Sequence, residues 1–349
     1  MGNRFSCKTK ENHNGSKSSR RNRSQRKLQS DEELLHMQAL SLAIQHHQSS
    51  QRFEGSMSRR IGSTSSRRRS NPVSDPAVNT PNQQKQSAEF LENLATKKIV
   101  LIHGEGFGAW CWYKSIALLE ESGMIPAALD LTGSGIDLKD TNNVTTLEEY
   151  SKPLIDYLQN LPEDEKVILV GHSIGGACVS YALEHFPQKI SKAVFLCGTM
   201  VSDGQKPFDV FAEQLGSAEQ FMKESKFLIH GNGKDNPATG FMFEKQQMRG
   251  LYFNQSPAKD IALAMVSMRP IPLGPIMQNL SLSKEKYGTG RRFYIQTLED
   301  HALSPDIQEK LVRDNPPEGV FKIKGSDHCA FLSKPQSLHK ILLEIAQIA

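Results

Sequence analysis

Gly171-His172-Ser173-Ile174-Gly175 follows directly on the apolar run from Val167 to Val170 and precedes a small-residue stretch that opens a helix pattern. A serine between two glycines at a strand-to-helix corner has its Oγ exposed and its neighbours too small to clash with the strand and helix that face each other there. The helix that follows offers unpaired N–H groups and the positive end of its dipole, which suit a developing oxyanion. Ser173 is therefore the candidate nucleophile, and the backbone N–H of Ile174 is one candidate oxyanion donor.

Working outward, short β-branched runs alternate with helix-length segments from Lys98 onward. Ile99 to Ile102, Val167 to Val170, Ala193 to Leu196, Phe293 to Gln296 and Val320 to Ile323 read as strands. Most are apolar throughout, as strands covered on both faces are. The alternation predicts an α/β fold with a mostly parallel sheet and helices on both faces. In such sheets the chemistry collects at the carboxyl ends of the strands.

Four features fall at those ends. His103-Gly104-Glu105-Gly106-Phe107-Gly108 follows the first strand, and its Glu105 N–H is the candidate second oxyanion donor. Ser173 follows the second. Thr297-Leu298-Glu299-Asp300 and Lys324-Gly325-Ser326-Asp327-His328 follow the last two. The order Ser, Asp, His is that of the α/β-hydrolase fold. In this arrangement His328 takes the serine proton and Asp300 fixes the tautomer of the imidazole. Asp306 and Asp327 compete with Asp300. Asp327 adjoins His328 in the chain, so its side chain should diverge from the ring, and Asp300 is preferred.

Charge divides the 349 residues in two. Residues 1–85 carry 16 Lys and Arg against 6 Asp and Glu, whereas the remainder carries 26 against 32. The slight overall basicity belongs to an extension rather than to a nucleic-acid groove, so no nucleic-acid partner is expected. This extension, 1–85, is rich in Ser, Arg, Gln and Asn and too poor in large apolar residues to offset its ordering entropy, so it reads as disordered. One stretch, Asp31 to Ile44, could form a short helix on a partner. The extension resembles an organelle transit peptide. Its first residues, Met1-Gly2-Asn3-Arg4-Phe5-Ser6, also fit an N-myristoylation pattern, with Cys7 as a palmitoylation site, which would give peripheral membrane contact instead.

Residues 86–349 then form the hydrolase domain. Within it, about 198–287 read as a small helical cap, rich in Phe, Met and Tyr, that covers an apolar acyl pocket. The five cysteines are widely spaced and contain no Cys-x-x-Cys pair, so neither a disulfide framework nor a zinc site is expected. No apolar run is long enough to span a bilayer. Acyl transfer by this triad needs no cofactor and no metal.

The stretch Ile99-Val100-Leu101-Ile102-His103-Gly104 with Gly108-Ala109-Trp110-Cys111-Trp112-Tyr113-Lys114 resembles the plant methylesterase family. So do Asp130-Leu131-Thr132-Gly133-Ser134-Gly135, Gly171-His172-Ser173, Ala193-Val194-Phe195-Leu196, Asp260-Ile261-Ala262-Leu263-Ala264 and Gly325-Ser326-Asp327-His328. The resemblance spans roughly 97–349. It implies hydrolysis of a small-molecule methyl ester, such as methyl indole-3-acetate, methyl jasmonate or methyl salicylate. It also implies that Ser173, Asp300 and His328 are the catalytic residues, and that a member with a long basic extension goes to plastids, so that the transit-like extension here leads to the chloroplast.

Two departures stand beside the oxyanion corner. Glu105 replaces a small apolar residue and Phe107 a histidine. A Glu105 carboxylate turned inward would oppose an oxyanion; turned outward it would be silent. The family also resembles the hydroxynitrile lyases, but Gly104 stands where those carry a hydroxyl residue and Cys329 where they carry a lysine. A hormone-binding receptor on a hydrolase scaffold is the reading from another class.

Overall fold

The computed structural model describes residues 94–214 and 228–349. The extension with its 31–44 segment, Gly2 and Cys7 lies outside the described residues, as do Phe221, Met222 and Phe227 of the aromatic segment.

The chain begins with β1 (Lys98–Ile102), α1 (Tyr113–Glu121), β2 (Ile125–Leu129), α2 (Leu147–Gln159), β3 (Val167–His172), α3 (Gly175–His185) and β4 (Ile190–Leu196). Next come α4 (Pro207–Gln214), β5 (Leu228–Ile229), β6 (Gly240–Phe241), α5 (Lys245–Leu251), α6 (Ala258–Ser267), β7 (Ile271–Pro272) and α7 (Gly274–Met277). It closes with β8 (Arg292–Thr297), α8 (Pro305–Asp314), β9 (Gly319–Ile323), α9 (Ala330–Ser333) and α10 (Pro335–Gln347).

Six strands build one sheet in the order β2-β1-β3-β4-β8-β9, parallel throughout. Parallel neighbours need a crossover, and the helices between the strands supply it. All five strands read from the sequence are present, within three residues at each end. The sixth, β2, reads Ile-Pro-Ala-Ala-Leu, with a proline and no β-branched run. An edge strand tolerates proline because one side of its ladder is open, and β2 is an edge.

Period-two alternation sends each strand's side chains to opposite faces. Val100, Ile102, Leu169, Phe195 and Tyr294 join Leu154 and Leu158 of α2, Val179 and Leu183 of α3 and Leu311 of α8 in one buried cluster. Ile99, Leu101, Ile168, Val170, Val194 and Ile295 join Leu119 of α1 and Leu338, Leu342 and Ile345 of α10 in the other. The sheet is covered on both faces, and each apolar run is explained by that cover.

Between β4 and β8, short helices are joined by a three-stranded antiparallel sheet, β5-β6-β7. The sequence reading held no strand here. Two-residue strands carry too little pattern to be read from alternation. The start of α6 is tied to α1, because Asp260 accepts from the Tyr113 hydroxyl at 2.5 Å and from the Lys114 ammonium. At its other end, Arg269 N–H donates to the Gly106 carbonyl at 2.9 Å, holding this segment over the glycine-rich loop.

Among the described residues no helix is long and apolar enough to cross a membrane, and Cys111, Cys178, Cys197 and Cys329 are free and buried. Leu101 of β1 is fully buried between β2 and β3. Leu101→Ala should lower the stability by about 2–5 kcal/mol with an unchanged urea m-value; an unmoved urea midpoint would contradict the packing described.

Candidate active site

Ser173 follows the last residue of β3 and sits at φ +51, a left-handed conformation that costs a non-glycine residue about 1–2 kcal/mol. Its surroundings hold it there. Its N–H donates to the Leu196 carbonyl at 3.2 Å, and its own carbonyl accepts from the N–H groups of Gly176 and Thr199, each at 2.9 Å. The flanking glycines are a matter of space. A Cβ at Gly171 would lie 2.6 Å from the Gly175 carbonyl oxygen, and a Cβ at Gly175 would lie 2.6 Å from that of His103.

The corner so formed gathers the strand-end residues. His328 Nε2 lies 2.9 Å from Ser173 Oγ, and His328 Nδ1 lies 2.8 Å from Asp300 Oδ2. All three residues are buried. Asp300 is held in turn by several donors. Its Oδ1 accepts from the N–H groups of Ala302 at 2.9 Å and Leu303 at 2.8 Å; its Oδ2 accepts from the Thr297 hydroxyl at 2.8 Å and Gln308 Nε2 at 3.2 Å. The two competing acids are elsewhere. Asp306 is exposed in the first turn of α8. Asp327 points away from the ring and accepts from Gln255 N–H, the Ser256 hydroxyl and Cys329 N–H.

Burial disfavours the charged form of His328, but the Asp300 carboxylate overrides it and holds the imidazole well above its usual range. The backbone of His328 is clamped as well. His172 Nε2–H and the Cys197 thiol both donate to its carbonyl, at 3.0 and 3.3 Å. Burial pushes His172 well below the ordinary histidine range and the Cys197 thiol up, so both remain neutral. His172, Cys197 and His328 place their ligand atoms within 4.8 Å of one another. The three are organised around the His328 carbonyl and the serine, with one thiol kept protonated, which is a poor donor set for a metal. His103 is neutral too. Burial lowers it, its Nδ1–H donates to the Gly104 carbonyl at 2.7 Å, and its Nε2 accepts from Leu131 N–H at 3.0 Å.

Glu105 is turned inward. Its side chain is 2 % exposed, with Oε1 3.1 Å from Ser173 Oγ and Oε2 3.3 Å from the Ile174 nitrogen. The Tyr252 hydroxyl also donates to Oε1. The carboxylate thus accepts from one of the two N–H groups that the sequence offered to an oxyanion, and it stands where that charge would develop. A hydroxyl has one proton to give. Ser173 directs it either to a neutral His328 or to Glu105, in which case a protonated His328 donates to the serine oxygen. Three donors converge on Glu105, and among the described residues no cation pairs with it.

Beyond Glu105 lies a nearly closed cleft, with room of only about 10 Å³ for a water-sized molecule, lined by Glu105, Ile174, Phe208, Phe211, Phe241, Phe243 and Ile276. A roomier cavity of about 540 Å³ lies near Lys192, Arg291 and the chain's last residues, away from the serine. The first adjoins the chemistry and is the candidate substrate site.

Sequence reasoning missed Gln308, Tyr252, Cys197 and the inward course of Glu105. Tyr252 carried a faint signal as one of the aromatic residues in the segment over the site. Gln308 and Cys197 carried none, because nothing in the local pattern of a helix or a strand end reports what its side chain meets across the fold.

Residues 99–340 match the family described as the alpha/beta hydrolase family. The chain is similar over its whole length to an Arabidopsis thaliana protein provisionally named methylesterase 12, chloroplastic, at 71 % identity over 354 residues covering 100 % of both. The crystal structure of the methylesterase protein MES16 from Arabidopsis is 36 % identical, with a TM-score of 0.64 over 71 % of this chain and 98 % of that one. Polyneuridine aldehyde esterase is 34 % identical, with a TM-score of 0.67 over 72 % of this chain and 100 % of the other. With its parallel sheet, its serine elbow and these relatives, the chain belongs to the plant methylesterase family of the α/β-hydrolases.

Proposed function

We propose that this protein is a serine carboxylesterase that cleaves methyl esters of small plant-hormone-type acids, with Ser173 as nucleophile, His328 as general base and Asp300 as its orienting acid. The observation that carries the reading is the continuous buried line from Ser173 Oγ through His328 to Asp300, with separations of 2.9 and 2.8 Å. The methylesterase names of relatives that cover 100 % and 75 % of the chain point to methyl esters. Methyl indole-3-acetate, methyl jasmonate and methyl salicylate are the substrates to compare.

In the first step His328 removes the serine proton as Oγ bonds to the ester carbon, and the carbonyl electron pair moves onto oxygen. Ile174 N–H and Glu105 N–H receive that charge, so the Glu105 carboxylate must first leave Ile174. The imidazolium returns its proton to methoxide as the C–O bond breaks, releasing methanol. Water then attacks the acyl-enzyme through the same base and regenerates Ser173. Asp300 holds the proton on Nδ1, so that Nε2 faces the serine.

The inward Glu105 favours one competing reading, a hormone-binding receptor that retains the hydrolase frame. A lyase is disfavoured. A Cβ at Gly104 would come within 2.6 Å of His172 Nδ1 and 2.9 Å of Ser173 Cβ, leaving little room for a hydroxyl residue, and Cys329 is a buried thiol kept neutral by burial. The chloroplastic names of the relatives support delivery of this chain to the chloroplast by its basic extension.

Ser173→Ala should abolish methanol release while leaving the circular-dichroism spectrum and thermal midpoint intact. Release that persists would remove Ser173 from its role, and saturable binding without release by the parent protein would favour the receptor.

Asp300 raises His328, so the base form is present only above the raised value. The sign for stability is the same: the Asp300–His328 attraction is fully present below the unfolded histidine value of about 6.5 and fades as pH climbs through the folded one. The acid limb of kcat/KM should therefore lie above about 6.5; a limb at or below that value would contradict the ion pair. The extension is tested by fusing residues 1–85 to a fluorescent protein. Plastid import unaffected by Gly2→Ala is expected, whereas loss of membrane signal in that variant would favour lipidation.

A further inference from the structure

Helix α6 is apolar on more than its inner face. It buries Ile261 and Ala264 beside the tied Asp260, and its exposed positions are Ala258, Lys259, Ala262, Leu263 and Val266, with a single charge among them. A surface helix ordinarily turns charged and polar residues outward, and one that is apolar on both sides is a helix that something covers. Val266, in its last turn, is 80 % exposed.

A second apolar element adjoins it. The turn after β2 presents Ile136 at 87 % and Leu138 at 95 % exposure, so both side chains stand clear of the surface. The backbone beneath them is fixed. Asp137 N–H donates to the Ser134 carbonyl at 2.9 Å, Asp137 Oδ1 accepts from the N–H groups of Gly133 at 2.8 Å and Lys139 at 2.9 Å, and Ile136 N–H donates to Asp130 Oδ2 at 3.3 Å. Arg269, three residues beyond Val266, donates from Nη1 to the Gly135 carbonyl at 3.2 Å and to that of Asp137, the residues on either side of Ile136. The turn and the end of α6 also flank one stretch of the glycine-rich loop. A Cβ at Gly106 would lie 3.0 Å from Met268 Cε, and a Cβ at Gly108 would lie 2.6 Å from Gly135 Cα.

Charge selects the partner. The carboxylates of this region are engaged: Asp130 and Asp137 within the turn, Asp140 by Asn142 N–H, and Asp260 by Tyr113 and Lys114. Lys139 and Lys259 are exposed, and among the described residues neither forms an ion pair. Aliphatic tips flanked by unpaired lysines fit a bilayer with anionic headgroups, because the tips enter the acyl boundary while the ammonium groups stay at headgroup level. A second copy of this chain fits less well. A two-fold contact sets a patch against itself and would bring these lysines together out of water. Protruding tips also need a matching hollow in a protein partner, and a fluid bilayer asks for none.

We propose that the turn of Ile136 and Leu138, with the outer face of α6 at Leu263 and Val266, is a docking surface for a lipid bilayer, Lys139 and Lys259 meeting its anionic headgroups. The proposal goes beyond the esterase reading and does not depend on it.

The basic extension attracts anionic vesicles by itself, so the test reads depth as well as binding. Full-length Leu138→Trp is mixed with vesicles of equimolar phosphatidylcholine and phosphatidylglycerol whose acyl chains are brominated or plain. Val320→Trp, on the opposite edge strand β9, is the control, and the emission of Trp110 and Trp112 in the parent chain is subtracted. The tryptophan at 138 should shift to the blue and lose most of its emission on the brominated chains, and the one at 320 should do neither. No quenching at 138, or equal quenching at both positions, overturns the proposal.

Binding is read by co-sedimentation of full-length Ile136→Ser/Leu138→Ser and Leu263→Ser/Val266→Ser with the plain vesicles. Each pair removes two exposed aliphatic groups, so the partition coefficient should fall about tenfold or more against the parent chain with an unmoved thermal midpoint. Partition undiminished in one pair takes that element out of the surface, and undiminished in both it overturns the proposal and leaves the extension as the lipid contact. Self-association of the parent chain without lipid, lost in both pairs, assigns the surface to a second copy instead.

Discussion

The serine held at φ +51 is the constraint on which the site depends. A left-handed residue at the end of a buried parallel strand survives only where the chain on both sides is fixed and the space around it is clear. The Ser173 carbonyl is bonded by two N–H groups and the Thr199 hydroxyl, while Gly171 and Gly175 leave room for strand and helix to approach. The order β1-β3-β4-β8-β9 then brings the loops after β1, β8 and β9 to the same edge. Strain at one residue and parallel register across the sheet together bring His103, Asp300 and His328 to it.

Three buried acids gather around this corner, and the fold treats them differently. Asp300 is saturated by backbone N–H groups, a hydroxyl, an amide and an imidazole. Asp327 is saturated by two backbone N–H groups and a hydroxyl that tie the start of the α6 segment to the loop of His328. Glu105 is satisfied by groups that the proposed reaction calls on, the Ser173 hydroxyl and the Ile174 N–H, and by a tyrosine from the covering segment. The first two carboxylates consolidate structure. The third competes with the reaction proposed for its neighbours, which makes the residue at 105 the point where this chain departs from a simple esterase.

The sheet was largely readable because its strands are covered on both faces, so Val167 to Val170 and Ala193 to Leu196 carry an uninterrupted apolar signal. Strand β2 was not, since Pro126 and two alanines lack that signal and its place is set by pairing with β1. The meeting of Ser173, Asp300 and His328 was readable because each sits at a strand end in an order that the elbow makes meaningful. The orientation of Glu105 was not, because it depends on Tyr252, 147 residues away in the chain, and on the aromatic wall beyond. Side-chain direction in a loop is a property of tertiary contacts, and local pattern is silent about it.

Occupation of the oxyanion corner by an internal carboxylate also bears on how the protein responds to covalent reagents. Fluorophosphonates and related probes mark serine hydrolases by placing a phosphoryl oxygen in that corner while the serine attacks phosphorus. Here the Glu105 carboxyl already accepts from the Ile174 N–H, and an incoming oxygen meets an occupied donor. Weak labelling of this protein in a plant extract would thus report the side chain at position 105, and the buried Ser173–His328–Asp300 line would pass unnoticed in any survey that counts hydrolases by their reactivity.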